Sequence, residues 1–175
     1  LARKRSIKQK AGGAHMPTYF VTFTSYGTWL HGDERGSHDR KGTTERTVKL
    51  APDPALEAQM RLRMSHAPIT LDGPMRKVMR EAIVEHCDYR RWLLREISVR
   101  TNHVHLVVVA DAAGSRVLNS VKARATRALR EAMLLGADRP VWTERGSCRV
   151  MKTEQDIASA CTYVREGQGP ELPDD

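Results

Sequence analysis

Two histidines one residue apart, His103 and His105, sit in the run Val99-Arg-Thr-Asn-His-Val-His-Leu-Val-Val-Val-Ala110. An extended chain turns alternate side chains to opposite faces, so the two imidazoles point the same way, side by side. Two neutral imidazoles on a rigid strand make a pair of ligands for a divalent metal. The plainer alternative is a strand whose outer face carries two histidines and no ion. A third group, the phenol of Tyr163, lies near the C-terminal end. It falls off the apolar stripe of its own segment, so it reads either as a half-buried structural tyrosine or as a hydroxyl turned toward the histidines.

These groups need elements to hold them. Val104, Leu106 and Val108 alternate with His103, His105, Val107 and Val109, and the β-branched content predicts a strand. Trp92 to Ser98 reads as its partner in a β-hairpin that turns at Arg100 to Asn102. Pro17 to Tyr26 is a first strand, with Tyr19, Val21 and Phe23 on one face and Phe20 on the other. Gly27 and Gly32 bracket Trp29 and His31, and a polar loop without secondary structure follows from Asp33 to about Thr47. A short helix spans Pro54 to about Met64 with Asp53 as cap. A longer one starts at Asp72 and carries Met75, Val78, Met79, Ala82, Ile83 and His86 to about Cys87. Ser115 caps a third helix, whose apolar face is Val117, Leu118, Val121, Ala125, Ala128, Leu129 and Met133, and Gly136 ends it. Val141 to Met151 is a turn feeding a last strand. Thr153 and Asp156 then form a capping-box pattern for a helix from Glu154 to Glu166, with Ile157, Cys161 and Val164 as its stripe. The order is β-α-β-β-α-β-α. Its first six elements predict a ferredoxin-like α+β sandwich with an antiparallel sheet, and the seventh carries the tyrosine.

The chain has 175 residues, the size of one domain, with ordinary apolar content at 40% and a net charge of +8. Arg3, Lys4, Arg5, Lys8 and Lys10 account for much of that charge; without these five, 24 basic residues face 21 acidic ones, a net +3. Residues 1–15 read as a disordered basic tail, or as an extension ahead of a true start at Met16. Residues 16–170 form the single domain, and 171–175 a short tail. A basic arm on nucleic acid is the functional alternative for the first segment. Cys87, Cys148 and Cys161 form no CxxC pair, which argues against a zinc ribbon or disulfide framework and fits a reducing cytoplasm. The helix after Ser115 presents Lys122, Arg124, Arg127 and Arg130 with no acid until Glu131, a face suited to phosphates.

His103-Val104-His105, preceded by Asn102, resembles the HUH motif of two histidines around a bulky apolar residue, and Tyr163-Val-Arg-Glu-Gly-Gln168 resembles the catalytic helix of single-tyrosine HUH transposases. Tyr19-Phe-Val-Thr-Phe, Tyr26-Gly-Thr-Trp-Leu-His-Gly-Asp33 and Val141-Trp-Thr-Glu-Arg-Gly-Ser147 look similar too, so the likeness runs from Met16 to about Pro170. The group is that of IS200-like insertion-sequence transposases and REP-associated tyrosine transposases. The resemblance implies that Tyr163 cleaves single-stranded DNA, forming a 5′-phosphotyrosine link and freeing a 3′ hydroxyl. A 3′ hydroxyl then re-attacks to join strands, so no external energy source is needed. It implies that His103 and His105 hold a divalent ion; oxygen ligands suit Mg²⁺ and imidazole suits Mn²⁺, and both stay open. The family takes a further ligand about one turn after the tyrosine, where this chain departs from the pattern with Gly167. Gln168 is then the favoured third ligand and Glu166 the other candidate. The partner implied is hairpin DNA with single-stranded flanks, met by Lys122, Arg124, Arg127, Arg145, Arg149, His31 and Arg35, with Trp29 and Tyr26 as stacking platforms. A homodimer that pairs the histidines of one chain with the tyrosine helix of the other, and a monomer, both fit. A prokaryotic, cytoplasmic, nucleoid-associated protein is expected. Two other readings stand beside this one: a domesticated hairpin-binding protein without catalysis, and a zinc hydrolase that uses the histidine pair without tyrosine chemistry.

Overall fold

Alternation of Tyr19, Val21 and Phe23 with Phe20, Thr22 and Thr24 makes the first strand two-faced, and the rest of the domain is laid against those two faces. The computed structural model describes residues 16–39, 48–170 and 172–173. In chain order the elements are β1 (Thr18–Thr24), β2 (Ser37–Asp39), β3 (Val48–Leu50), α1 (Pro54–Leu62), α2 (Gly73–Tyr89), β4 (Leu93–Val99), β5 (His103–Val109), α3 (Gly114–Glu131), β6 (Ser147–Met151) and α4 (Glu154–Glu166). The main sheet runs β4-β5-β1-β6, with every neighbouring pair antiparallel. With α2 between β1 and β4 and α3 between β5 and β6, this is the expected ferredoxin-like α+β arrangement. Among the described residues no helix is long and apolar enough to cross a membrane.

One face of the sheet, carrying Tyr19, Val21, Phe23, Val104, Leu106 and Val108, packs against Met79 and Ile83 of α2 and Val117, Val121, Ala125 and Leu129 of α3. The opposite face is covered over a smaller area. There Val107 and Met151 pack with Ile157, Ala160 and Val164 of α4, with Phe20 and Cys161 alongside. The domain thus has a thick core on one side and, on the other, a sheet surface open next to a single helix.

Helix starts follow their caps. Asp53 accepts from the backbone N–H groups of Ala55 and Leu56, Asp72 from that of Met75, and Thr153 and Asp156 complete a reciprocal capping box. Three expectations need correction. The loop after Asp33 is not without secondary structure: β2 and β3 pair as a short ribbon, with Ser37 opposite Leu50. Ser115 does not cap α3, because the N-cap is Ala113 and no side chain bonds there. Gly136 does not end α3, because the helix stops at Ala132 and Met133 takes the left-handed turn at φ 56°. Met133 is correspondingly 90% exposed and is no part of the apolar face. The readings of residues 1–15, of most of the short C-terminal tail and of residues 40–47 fall outside the described residues.

Candidate active site

The helix α4 starts two residues after the edge strand β6 and lies back across the open sheet face. Its apolar stripe sits on Val107 and Met151, and Arg165 pairs with Glu96 of β4 at 2.7 Å. This seats Tyr163, which is 48% exposed, above the face that bears the two histidines. The rings of His103 and His105 are 4.6 Å apart between centroids, and Tyr163 stands edge-on to His105 at 5.6 Å. Phe20, from β1, stacks on His105 at 5.5 Å and 14° and meets Tyr163 edge-on at 6.1 Å, so the three rings form one cluster.

Hydrogen bonds set the direction of each imidazole. His103 Nδ1 lies 2.7 Å from Asn102 Oδ1, and its Nε2 lies 2.9 Å from Gln168 Oε1. Gln168 in turn donates from its amide nitrogen to the Tyr163 carbonyl at 3.2 Å, so one side chain ties the end of the tyrosine helix to the histidine strand. His105 Nδ1 lies 2.8 Å from Thr22 Oγ1. Burial, and then the neighbouring His103, push the His105 imidazole down to about 4, so it is neutral at pH 7, the form that can ligate a metal.

The residues present fit a divalent ion. Among the described residues no three His, Cys, Asp or Glu side chains are grouped to hold one. His103, His105 and the Gln168 amide oxygen together give a mixed nitrogen and oxygen set. The structure brings His103 Nε2 and Gln168 Oε1 to 2.9 Å of each other and the two imidazole centroids to 4.6 Å, so all three would be within reach of one ion. Glu166 instead meets Arg165 at 3.3 Å, on the outer side of the helix end. The absence of an amide at residue 167 also has a physical reason. A Cβ on Gly167 would come within 2.6 Å of Tyr163 Cδ2, so the tyrosine ring occupies the space a side chain there would take.

Beside these groups runs an open cleft of ≈ 540 Å³, lined among others by Phe20, His105, Arg149, Met151, Ser159 and Tyr163. The Arg149 guanidinium hangs over the Phe20 ring at 5.7 Å, exposed and at the mouth of the cleft. The other basic residues expected at DNA are spread differently. The Lys122 ammonium donates to the carbonyls of Thr143 and Arg145, and burial holds its pKa below the usual lysine range. Arg124 pairs with Glu131 at 3.1 Å and Glu85 at 3.7 Å. Arg35 is held by Asp33 at 2.6 Å and lies over the Trp29 ring at 4.8 Å. His31 is half-buried and engaged, while Arg127 and Arg145 are exposed. Of the two aromatic platforms, Trp29 donates its indole N–H to the Gly36 carbonyl at 2.8 Å, and Tyr26 meets His66 edge-on. Sequence reasoning missed Phe20 and Thr22 as parts of this site. Their alternation on β1 was visible, but the register that sets Thr22 opposite His105 was not.

The profile of the IS200-like transposase family matches residues 63–166, more than half of the chain and all of the stretch from the histidine pair to the end of the tyrosine helix. Two solved structures resemble it. One is a REP-associated tyrosine transposase bound to a REP hairpin, 14% identical, with a TM-score of 0.47 over 91% of this chain and 70% of that one. The other is a protein described as a candidate transposase from Deinococcus radiodurans R1, 12% identical, with a TM-score of 0.48 over 91% of this chain and 96% of that one. No curated protein matches by sequence.

Proposed function

Because this chain belongs to the IS200-like transposase family, we propose that it cleaves and rejoins single-stranded DNA, with Tyr163 as the nucleophile and His103, His105 and Gln168 as the ligands of a divalent ion, Mg²⁺ or Mn²⁺. The observation that carries this reading is the meeting of the Tyr163 ring and the two imidazoles on one open sheet face of a single chain. In the step we infer, the Tyr163 phenol oxygen attacks the scissile phosphorus and the bond from phosphorus to the 3′ oxygen breaks. The 3′ oxygen leaves with a proton, and the 5′ phosphate stays on the tyrosine. Attack by a 3′ hydroxyl reverses the exchange and joins strands. A bound divalent cation supplies Lewis-acid stabilisation of the charge that develops on the phosphate. The chain's own residues do the remainder. The neutral His105 presents a lone pair, Gln168 holds the helix end to His103, and Arg149 offers a cation to the DNA backbone at the cleft mouth. The substrate we read is a single-stranded site flanked by a hairpin.

The test incubates the protein with single-stranded oligonucleotides from the DNA flanking its gene, with and without Mg²⁺ or Mn²⁺, and resolves a covalent adduct on a denaturing gel. The expected adduct needs the metal and is lost in Tyr163→Phe and in the His103→Ala/His105→Ala double variant. Full cleavage by Tyr163→Phe would overturn the reading in favour of a hydrolase. Tight hairpin binding with no adduct on any flank would replace it with a binding protein.

A further inference from the structure

One contact in the site is made by a residue to which the family reading assigns nothing. Thr22 stands directly opposite His105 in the β1–β5 ladder, on the face turned to α4. Its hydroxyl oxygen lies 2.8 Å from His105 Nδ1. The same imidazole is stacked on Phe20 at 5.5 Å and flanked edge-on by His103 and Tyr163. His105 is only 8% exposed, and these three rings crowd its imidazole. Among the described residues, Nε2 is the one ring nitrogen of His105 left without a hydrogen bond, and His105 lines the cleft. A neutral imidazole carries one proton; the Thr22 hydroxyl can meet either form of Nδ1, and a metal on Nε2 requires the form in which Nδ1 carries the proton and Thr22 accepts it.

We propose that Thr22 is a positioning residue. By accepting the Nδ1 proton of His105, it fixes the tautomer in which the Nε2 lone pair faces the cleft. This rests on the reading of His105 as a metal ligand. Asn102, from the preceding position in the chain, has its Oδ1 at 2.7 Å from His103 Nδ1. Valine at residue 22 would keep the β-branched shape of threonine and remove the acceptor. The His105 Nδ1 proton would then be buried without a partner, and the ring would move its proton to Nε2, toward water. Serine would restore the acceptor.

The experiment compares wild type, Thr22→Val and Thr22→Ser by two readouts on the DNA-free protein. The first is the ¹⁵N shifts of the His105 ring nitrogens without metal. The expected pattern is a proton on Nδ1 in wild type and Thr22→Ser and on Nε2 in Thr22→Val. The second is Mn²⁺ affinity by titration of the free-ion EPR signal. A loss of roughly 10–100-fold is expected for Thr22→Val, with Thr22→Ser staying within a few-fold of wild type. A wild-type His105 protonated on Nε2, or a Thr22→Val protein that keeps the Nδ1 proton and full Mn²⁺ affinity, would overturn the proposal. Wild type that binds no Mn²⁺ would overturn the metal reading itself, and the ring shifts would still decide the role of Thr22. Should Thr22→Val fail to fold, the wild-type tautomer and the Thr22→Ser affinity decide the matter.

Discussion

Gly167 leaves room for the phenol that precedes it. An alanine there would place its Cβ 2.6 Å from Tyr163 Cδ2 and 2.8 Å from the Tyr163 carbonyl oxygen, so the ring and the helix end would both have to give. A shift of about 1 Å in a reacting group costs on the order of a hundredfold in rate, whereas the strain at an exposed helix end costs only about 1 kcal/mol, or roughly 2–4 °C in melting temperature. Gly167→Ala is therefore expected to slow adduct formation by ten- to a hundredfold while its melting curve stays close to that of wild type. An unchanged adduct rate would mean that the ring position does not matter. Two other residues make stability depend on pH. His105 is held down to about 4 by burial and by His103, and His86 is lowered by burial and by Arg90, Arg124 and Arg127. An imidazole whose folded pKa lies below its unfolded value of ~6.5 protonates first in the unfolded chain as pH falls. Their contribution is whole above about pH 6.5 and drains away as pH falls below it, that of His105 down to about pH 4. Urea midpoints should accordingly be lower at pH 5 than at pH 7.5, with a smaller drop in His86→Gln, which keeps a polar group for Ser120.

At the scale of elements, two helices end on residues ill suited to the job. Met133 and Arg91 adopt φ 56° and 57°. In each case the next two backbone N–H groups close a Schellman turn: Met133 to Arg130 and Leu134 to Leu129 after α3, Arg91 to Asp88 and Trp92 to Cys87 after α2. The left-handed conformation costs a side-chain-bearing residue roughly 1–2 kcal/mol and a glycine almost none. Met133 is 90% exposed and loses little packing on truncation. Met133→Gly should therefore raise stability by about 1 kcal/mol in chemical denaturation, and a loss would show that the thioether chain contributes where none of its contacts suggests it. The same position explains why the end of α3 was misread. Gly136 carried the expected terminator, but the apolar residues Leu134 and Leu135 pull the chain back to the core before it is reached. Helix starts were legible because Asp53, Asp72 and Thr153 act through bonds to residues two or three further on, all within sight in the sequence. The β2–β3 ribbon was not legible, since three-residue strands are too short to show an alternation. In the site, spacing put the two histidines on one face and Tyr163 off the apolar stripe of its helix, and the family resemblance supplied the roles they are proposed to play. The nearness of Gln168 to His103 depended on how the chain turns after Gly167, and that of Thr22 to His105 on a strand register set by residues more than eighty positions away.

For the molecule as a whole, charge is a poor guide to where DNA would lie. Lys122 spends its donors on two carbonyls that join α3 to the segment before β6, and Arg124 and Arg35 are balanced by acids. Arg149 is exposed over Phe20 at the cleft. Neutralising a phosphate-contacting cation weakens binding across sequences and lowers the salt slope by ~1. Arg149→Ala should do this in titrations against single-stranded DNA, whereas Lys122→Met should lower the melting temperature and leave the salt slope in place. The opposite pattern would move the DNA track to the α3 side.

The segment after α4 is fastened to its own chain. Arg100 donates to the Pro170 carbonyl at 2.8 Å, and Arg76, only 5% exposed, donates to the carbonyls of Leu71 and Pro173. With Arg165 on Glu96 of β4 near the helix end, and Ile157, Ala160 and Val164 packed on Val107 and Met151, the tyrosine helix lies fixed on the sheet of its own chain. The consequence is kinetic. If nucleophile and ligands arrive together in each polypeptide, adduct formation is first order in protein, and its rate per molecule holds constant on dilution. Mixing Tyr163→Phe with His103→Ala/His105→Ala should then restore nothing, since neither chain can lend the other its missing half.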